Sequence, residues 1–162
     1  MNEIGSIHDV TRGDVEEFYG SYYDTLDEVR LADWPLHFAE DCLYRIVSRE
    51  NHEGGMRLST IICESRGMLF DRVTGLTQTQ VYAPRYYRRF QGPFRVRPVE
   101  GAILPVEHNV LVVQTLIDKQ SEIVMAARCL DKLVVEEDKL LFKQRVIVFD
   151  SEMVPNSLIY PV

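Results

Sequence analysis

Residues 102–150 constrain the fold more than any other part of the chain. Three long apolar-rich runs, residues 109–117, 122–135 and 139–150, follow one another there, joined only by the short polar links 118–121 and 136–138. Runs rich in Val, Ile, Leu and Phe with tight polar links read as an antiparallel meander. They reach about a dozen residues, against roughly 5–6 for an ordinary strand. Strands of that length carry a cumulative right-handed twist and cannot stay flat. A strongly curved sheet is expected, with the N-terminal helices filling its hollow. In the third run Lys143 and Arg145 share one parity, and Phe142, Gln144, Val146 and Val148 the other. This mixed alternation suits a sheet with one core face and one partly wet face.

The upstream half supplies the helices. Val15, Phe18, Tyr19, Tyr22, Leu26 and Val29 recur at spacings of three and four, so they line one face of a helix that begins near Thr11. Thr11 or Asp14 can cap it, and Glu16 and Glu17 favour its first turn. A second, short helix is expected from Asp33, with Asp as N-cap and Pro35 in the first turn. Period two then takes over, giving a strand over residues 42–49. Residues 51–55 read as a loop, and residues 57–63 fit either a strand or a helical lead-in. Helical spacing returns from Ser65 through Met68, Leu69, Val73 and Leu76, weakened near Gly75. The Ala83-Pro84 step breaks structure. Residues 86–90 and 94–99 read as strand pieces, and the uncharged tail 154–162 is expected to pack on its own domain or on a neighbouring chain.

At 162 residues the chain fits one domain, residues 1–162, with room for a real core. No apolar run approaches the ~20 residues of a membrane span, and the first residues lack a basic, apolar signal region. The cysteines Cys42, Cys63 and Cys129 are isolated, which suits reduced thiols and a cytoplasmic location. A net charge of −7 disfavours a nucleic-acid partner. The charge is uneven: acids concentrate before residue 54, whereas residues 82–98 hold Arg85, Arg88, Arg89, Arg95 and Arg97 with no acid. Either these regions face each other within one fold, or the arginines form a docking surface for an acidic partner.

The histidines His8, His37, His52 and His108 have no second His or Cys at a metal-binding interval, and there is no Cys-x-x-Cys or Cys-x-His pair. No glycine-rich phosphate loop or nucleophile elbow is present. What remains is a possible acid–base pocket. Tyr19, Tyr23, Asp27, His37, Asp41 and Tyr44 are expected near the mouth of the hollow, where a His–Asp pair with tyrosines can polarise a carbonyl or move a proton. Against this, His37 is also read as a structural or interface histidine, Asp41 as turn chemistry, and His52 as a surface or interface residue.

The order helix, short Trp helix, strand, helix, long meander resembles the cone-shaped α+β fold typified by nuclear transport factor 2. The run 33–44, containing Trp34, Phe38, Asp41 and Tyr44, resembles the Trp…Phe…Asp…Tyr signature of the small (beta) subunit of aromatic-ring-hydroxylating dioxygenases. Residues 49–52, 64–72 and 145–150, with Asn156, Ser157 and Leu158, look like the same family, most of all its members acting on aromatic acids such as salicylate, anthranilate or terephthalate. Around residues 86–94 the chain departs from that pattern with an Arg-Arg-Phe-Gln-Gly-Pro run. The resemblance implies a structural subunit of a Rieske non-haem iron oxygenase in aromatic catabolism, without cofactor, metal or catalytic residue of its own. It implies a large (alpha) subunit carrying the Rieske cluster and the mononuclear iron, and a homotrimer of this chain within a hexamer of three large and three small subunits. His52, Arg85, Arg88, Arg89 and Tyr160 then become interface candidates. The competing expectation is a free-standing dehydratase or isomerase on the same cone, using His37, Asp41 and Tyr44.

Overall fold

A computed structural model describes residues 5–78, 84–151 and 160–162. The first long helix, α1 (Arg12–Asp27), starts at Thr11, whose hydroxyl accepts the Asp14 backbone N–H while the Asp14 carboxylate accepts the Thr11 N–H. This reciprocal box satisfies two donors that a helix start leaves open. Val15, Tyr19, Tyr22, Tyr23 and Leu26 are buried on its inner face. Val29 lies past the helix end in a left-handed conformation (φ 59°) and is exposed, so the apolar stripe stops at Leu26. A 3₁₀ turn, Trp34–His37, follows; Pro35 opens it, but Asp33 makes no side-chain cap.

The sheet contains β1 (Phe38–Ser48), β2 (Ile61–Cys63), β3 (Arg85–Gln91), β4 (Arg95–Val96), β5 (Leu104–Leu116), β6 (Glu122–Glu136) and β7 (Lys139–Phe149). Its order is β2-β1-β7-β6-β5-β3, with β4 paired to β5. The meander expected over residues 109–150 is β5–β6–β7, all antiparallel neighbours. The sheet is not wholly antiparallel, because β1 runs parallel to β7. Residues 51–55 differ from expectation as well. Ser48 caps a one-turn helix, α2 (Arg49–Glu53), and only Gly54 and Gly55 form the turn, Gly55 at φ 66°. The third helix, α3 (Arg66–Gln78), runs through Gly75, and Ala83 and residues 154–159 of the tail lie outside the described residues.

Two devices bend the sheet into a cone. The meander strands are 13, 15 and 11 residues long, and the pairing shifts register at Val112/Val113, Lys132/Leu133 and between Phe38 and Leu43. An extra residue in one strand adds local twist and re-aims the side chains beyond it. The β6–β7 shift brings Phe142 and Arg145 to the same inner face, although they are three residues apart. The inner face packs on α1 and the Trp34 turn in one continuous core. On the outer face Val47, Val146 and Val148 form a second, smaller apolar cluster with Leu43 and Leu130.

Candidate functional site

The cone's hollow is floored by charge rather than by apolar side chains alone. Arg145 on β7, Asp131 on β6 and His108 on β5 all point inward and are buried. Their positions follow from strand parity: His108 lies between Val106 and Val110, Asp131 between Cys129 and Leu133, Arg145 before Ile147, and each of these apolar flanks is buried. α1 closes the hollow with Tyr19, Tyr22 and Tyr23, three ring-bearing residues on one face.

Every nitrogen of Arg145 is used. Nη1 donates to Asp131 Oδ2 at 2.6 Å, Nη2 to the Tyr23 hydroxyl at 2.6 Å and Nε to the Val162 carbonyl oxygen at 3.3 Å. The guanidinium also lies 4.6 Å from the Tyr22 ring centre and 5.0 Å from that of Phe142, so ring faces complete its shell. Tyr19 donates a second hydrogen bond to Asp131 Oδ2 at 2.7 Å. Because Tyr23 accepts from Arg145, its own proton goes to His108 Nε2, 2.7 Å away. His108 is thereby an acceptor at Nε2 and neutral.

The electrostatics agree with that assignment. Burial, then the Arg145 guanidinium, push the His108 pKa down to about 2. Burial pushes the Asp131 carboxyl up, and Arg145 and the Tyr19 hydroxyl oppose it. Burial drives the Cys129 thiol up to about 12. The group is a buried polar network in which His108 is held neutral and the Cys129 thiol protonated, while Asp131 Oδ1 and His108 Nδ1 make no hydrogen bond among the described residues.

A pH dependence follows. The folded-state pKa of His108 lies below the unfolded value of 6.5, so the unfolded chain binds the extra proton. The stability held by neutral His108 is full above pH 6.5 and is lost as pH falls through that value. Between pH 7 and 5 this amounts to about 2 kcal/mol. In His108→Gln the loss is absent, while Asp131 titrates in both proteins. The unfolding free energies of variant and parent are expected to converge by about 2 kcal/mol over that interval. A gap that stays constant in denaturant titrations at the two pH values contradicts a neutral, buried His108.

The residues expected to form an acid–base pocket do not meet. His37 sits at the rim, its Nε2 3.2 Å from Thr25 Oγ1 and its ring edge-on to Phe18 and Tyr22. Burial lowers its pKa to about 4. Asp41 is exposed on the outer face and pairs with Lys143. Tyr44 is fully buried and faces Val162. The His37–Asp41 pairing is therefore corrected: Asp41 and Tyr44, three apart on one strand, point to opposite faces. Tyr19 and Tyr23 do enter the hollow. The inward members His108, Asp131 and Arg145 were not anticipated, and the available signal was a polar or charged residue flanked at ±2 by apolar ones.

The arginine-rich strand splits. Arg89 is buried; its Nη1 donates to Asp27 Oδ1 at 2.5 Å and its Nη2 to the Pro161 carbonyl oxygen at 2.5 Å. It is an internal strut between α1, β3 and the tail, which corrects its placement on an outer docking surface. Arg88 is exposed, with Glu28 at 3.8 Å and the Asp27 carbonyl at 3.4 Å. Arg85 donates to Gln114 Oε1 at 3.1 Å. The acid-rich and arginine-rich regions thus face each other at Asp27 and Glu28. His52 is half-buried on α2, and Tyr160 stands edge-on to Tyr87 at 5.3 Å.

Among the described residues no group of three or more His, Cys, Asp or Glu is placed to hold a metal ion. The donor chemistry agrees: His108 Nε2 is taken by Tyr23, and burial holds the Cys42 and Cys129 thiols protonated, at about 11 and about 12. These residues do not fit an iron–sulfur cluster or a mononuclear iron. Among the described residues no helix is long and apolar enough to cross a membrane.

A mixed, cone-shaped sheet whose hollow is closed by an aromatic helix and a buried charge network defines an α+β cone protein with a filled interior. The profile of the family described as "Ring hydroxylating beta subunit" matches residues 24–156, and the chain belongs to that family. It is 31% identical to the anthranilate 1,2-dioxygenase small subunit of Burkholderia cepacia, over 87% of this chain and 88% of that one. It is 24% identical to subunit beta 1 of the terminal oxygenase component of a Comamonas terephthalate 1,2-dioxygenase, over 91% and 96%. The crystal structure of an aromatic-ring-hydroxylating dioxygenase beta subunit from Novosphingobium aromaticivorans superimposes with a TM-score of 0.86 at 29% identity, over 97% and 100%. The chain is accordingly a small subunit of an aromatic-ring-hydroxylating dioxygenase and works with a large-subunit partner.

Proposed function

We propose that this chain is a scaffold for its large subunit and performs no chemistry of its own. The Rieske cluster and the mononuclear iron then belong to the large subunit. The observation that carries this reading is the filled hollow. Arg145, Tyr19, Tyr23, Asp131 Oδ2 and His108 Nε2 are spent on one another, and Val162 occupies the space beside them. A base whose lone pair already accepts a buried hydroxyl proton is not poised to take one from a substrate. The names of the relatives support an aromatic acid as the substrate class, with anthranilate and terephthalate as guides.

In this reading residues 1–162 form one domain, located in the cytoplasm, and three copies form a base for three large subunits. The interface falls to His52, Arg85, Arg88 and Tyr160, with Arg89 acting from inside by fixing α1 and the tail against β3. Exposed Arg88 is the first choice for pairing with a carboxylate of the large subunit, since guanidinium–carboxylate contacts are bidentate and specific.

The test is co-purification of His52→Glu/Arg88→Glu with the large subunit. Both sites lie outside the core, so the unfolding free energy should change by less than about 1 kcal/mol. Recovery of the large subunit should fall at least about tenfold, as for a reversed charge at a desolvated contact. Undiminished recovery removes these residues from the interface. Catalytic turnover by the variant or the parent without any large subunit removes the scaffold reading itself.

A further inference from the structure

At the mouth of the cone an open cleft of about 210 Å³ lies between α1, the Trp34 turn and the start of β7. Phe18, Leu36, Leu140 and Leu141 give it apolar walls, and Leu36 is more than half exposed. Glu17 and His37 line the same cleft. Thr25 Oγ1 donates to the Ser21 carbonyl at 2.9 Å, so it accepts from His37 Nε2–H at 3.2 Å. His37 Nδ1 therefore keeps its lone pair, and it makes no hydrogen bond among the described residues. Burial lowers the His37 pKa to about 4, so the ring is neutral at neutral pH. The Glu17 carboxylate is exposed and has no ion pair or hydrogen bond among the described residues. Two acceptors thus stand unpartnered beside an apolar surface.

We propose that this cleft receives an arginine side chain of the large subunit, whose guanidinium donates to the Glu17 carboxylate and to His37 Nδ1 while its stem lies on Phe18, Leu36 and Leu140. The inference rests on the scaffold reading and adds a contact to it. Charge complementarity sets the sign of the occupant. The β6–β7 turn that leads into Lys139 is Glu136-Glu137-Asp138, and Lys139 on the rim offsets only part of that charge. The neighbouring cations are already committed, Arg12 to Glu16 and Arg30 to Asp24 and Asp33. Size sets the scale: small-molecule pockets run to about 300–1,000 Å³, and a cleft below that range suits one side chain. The pair of acceptors favours arginine over lysine. A guanidinium spreads five N–H donors in one plane, is weakly hydrated and stacks on rings such as Phe18.

The experiment follows dissociation of the purified complex of large and small subunits on dilution, by light scattering. Glu17→Arg should raise the concentration at which the complex falls apart by at least about tenfold, as for like charges brought together at a contact. His37→Phe keeps a ring beside Phe18 and Tyr22 and removes Nδ1, and should cost about tenfold, the worth of a hydrogen bond to a charged group. Added salt should loosen the parent complex more than that of Glu17→Gln. Glu16→Arg is the control, because it places the same charge one residue away, outside the residues lining the cleft, and should leave dissociation within about twofold of the parent, since an exposed pair such as Arg12–Glu16 contributes little. Glu17 is exposed, so its variants should keep the Tm of the free chain. A complex unchanged by Glu17→Arg or by a folded His37→Phe overturns the proposal, and so does an equal loss in Glu16→Arg, which would mark a general effect of charge. A parent chain that binds no large subunit removes the scaffold reading and this contact with it; a parent that binds, with Glu17→Arg unimpaired, removes this contact alone.

Discussion

Arg145→Met is expected to destabilise the chain by about 3–5 kcal/mol, the range for removing one partner of a fully buried ion pair. The side chain is completely enclosed and makes hydrogen bonds to Asp131, Tyr23 and Val162. Its removal leaves the Asp131 carboxylate without its cation, in a site where burial already pushes its pKa up. Tyr19 remains as a single donor to that carboxylate. The double variant Arg145→Met/Asp131→Leu is expected to regain most of the loss, because an apolar pair of similar volume avoids the desolvation of both charges. Urea denaturation of the single and double variants measures this. A double variant no more stable than Arg145→Met places the loss in packing or in the Tyr23 and Val162 contacts instead.

Asp27→Ala is expected to cost about as much, ~3–5 kcal/mol, for the complementary reason. Among the described residues Asp27 is the carboxylate that pairs with Arg89, at 2.5 Å, and its other oxygen accepts the Arg89 backbone N–H at 3.3 Å. The Arg89 side chain is 1% exposed. Without Asp27 a buried guanidinium keeps the Pro161 carbonyl and the Tyr87 ring face, with no counter-charge among the described residues. The damage should spread from the end of α1 to residues 160–162, since Arg89 bridges them. Asp41→Ala is the contrasting case. Its partner Lys143 is met at the surface, and exposed pairs contribute roughly 0–1 kcal/mol. Thermal unfolding of both variants side by side should show one large and one negligible shift. Equal shifts would contradict the distinction between strut and surface pair.

The meander, the aromatic stripe of α1 and the Trp34 turn were legible because each rests on local periodicity. The same periodicity misled at β7. Alternation put Phe142 and Arg145 on opposite faces, and only the register shift between β6 and β7 brings both inside. A bulge leaves no mark in a single sequence, because the extra residue is recognised only against its partner strand. The parallel β1–β7 pairing is equally non-local. Asp41 was drawn toward His37 by nearness in sequence, although strand parity turns it away from Tyr44. The arginine-rich strand needed the fold to divide it: Arg88 and Arg89 are neighbours of identical type, yet one is exposed and the other serves as an internal strut. The tail was expected to pack, and its last residues do so in the hollow, a destination that only the convergence of Tyr22, Tyr44 and Arg145 reveals.

Light scattering with iron analysis, on this chain purified alone and together with its large oxygenase subunit, tests the central claim most directly. The scaffold account predicts a complex whose mass fits three copies of each subunit, with all iron in the large one, and no turnover of an aromatic acid by this chain alone. Iron bound by the isolated chain, or turnover without the large subunit, contradicts it.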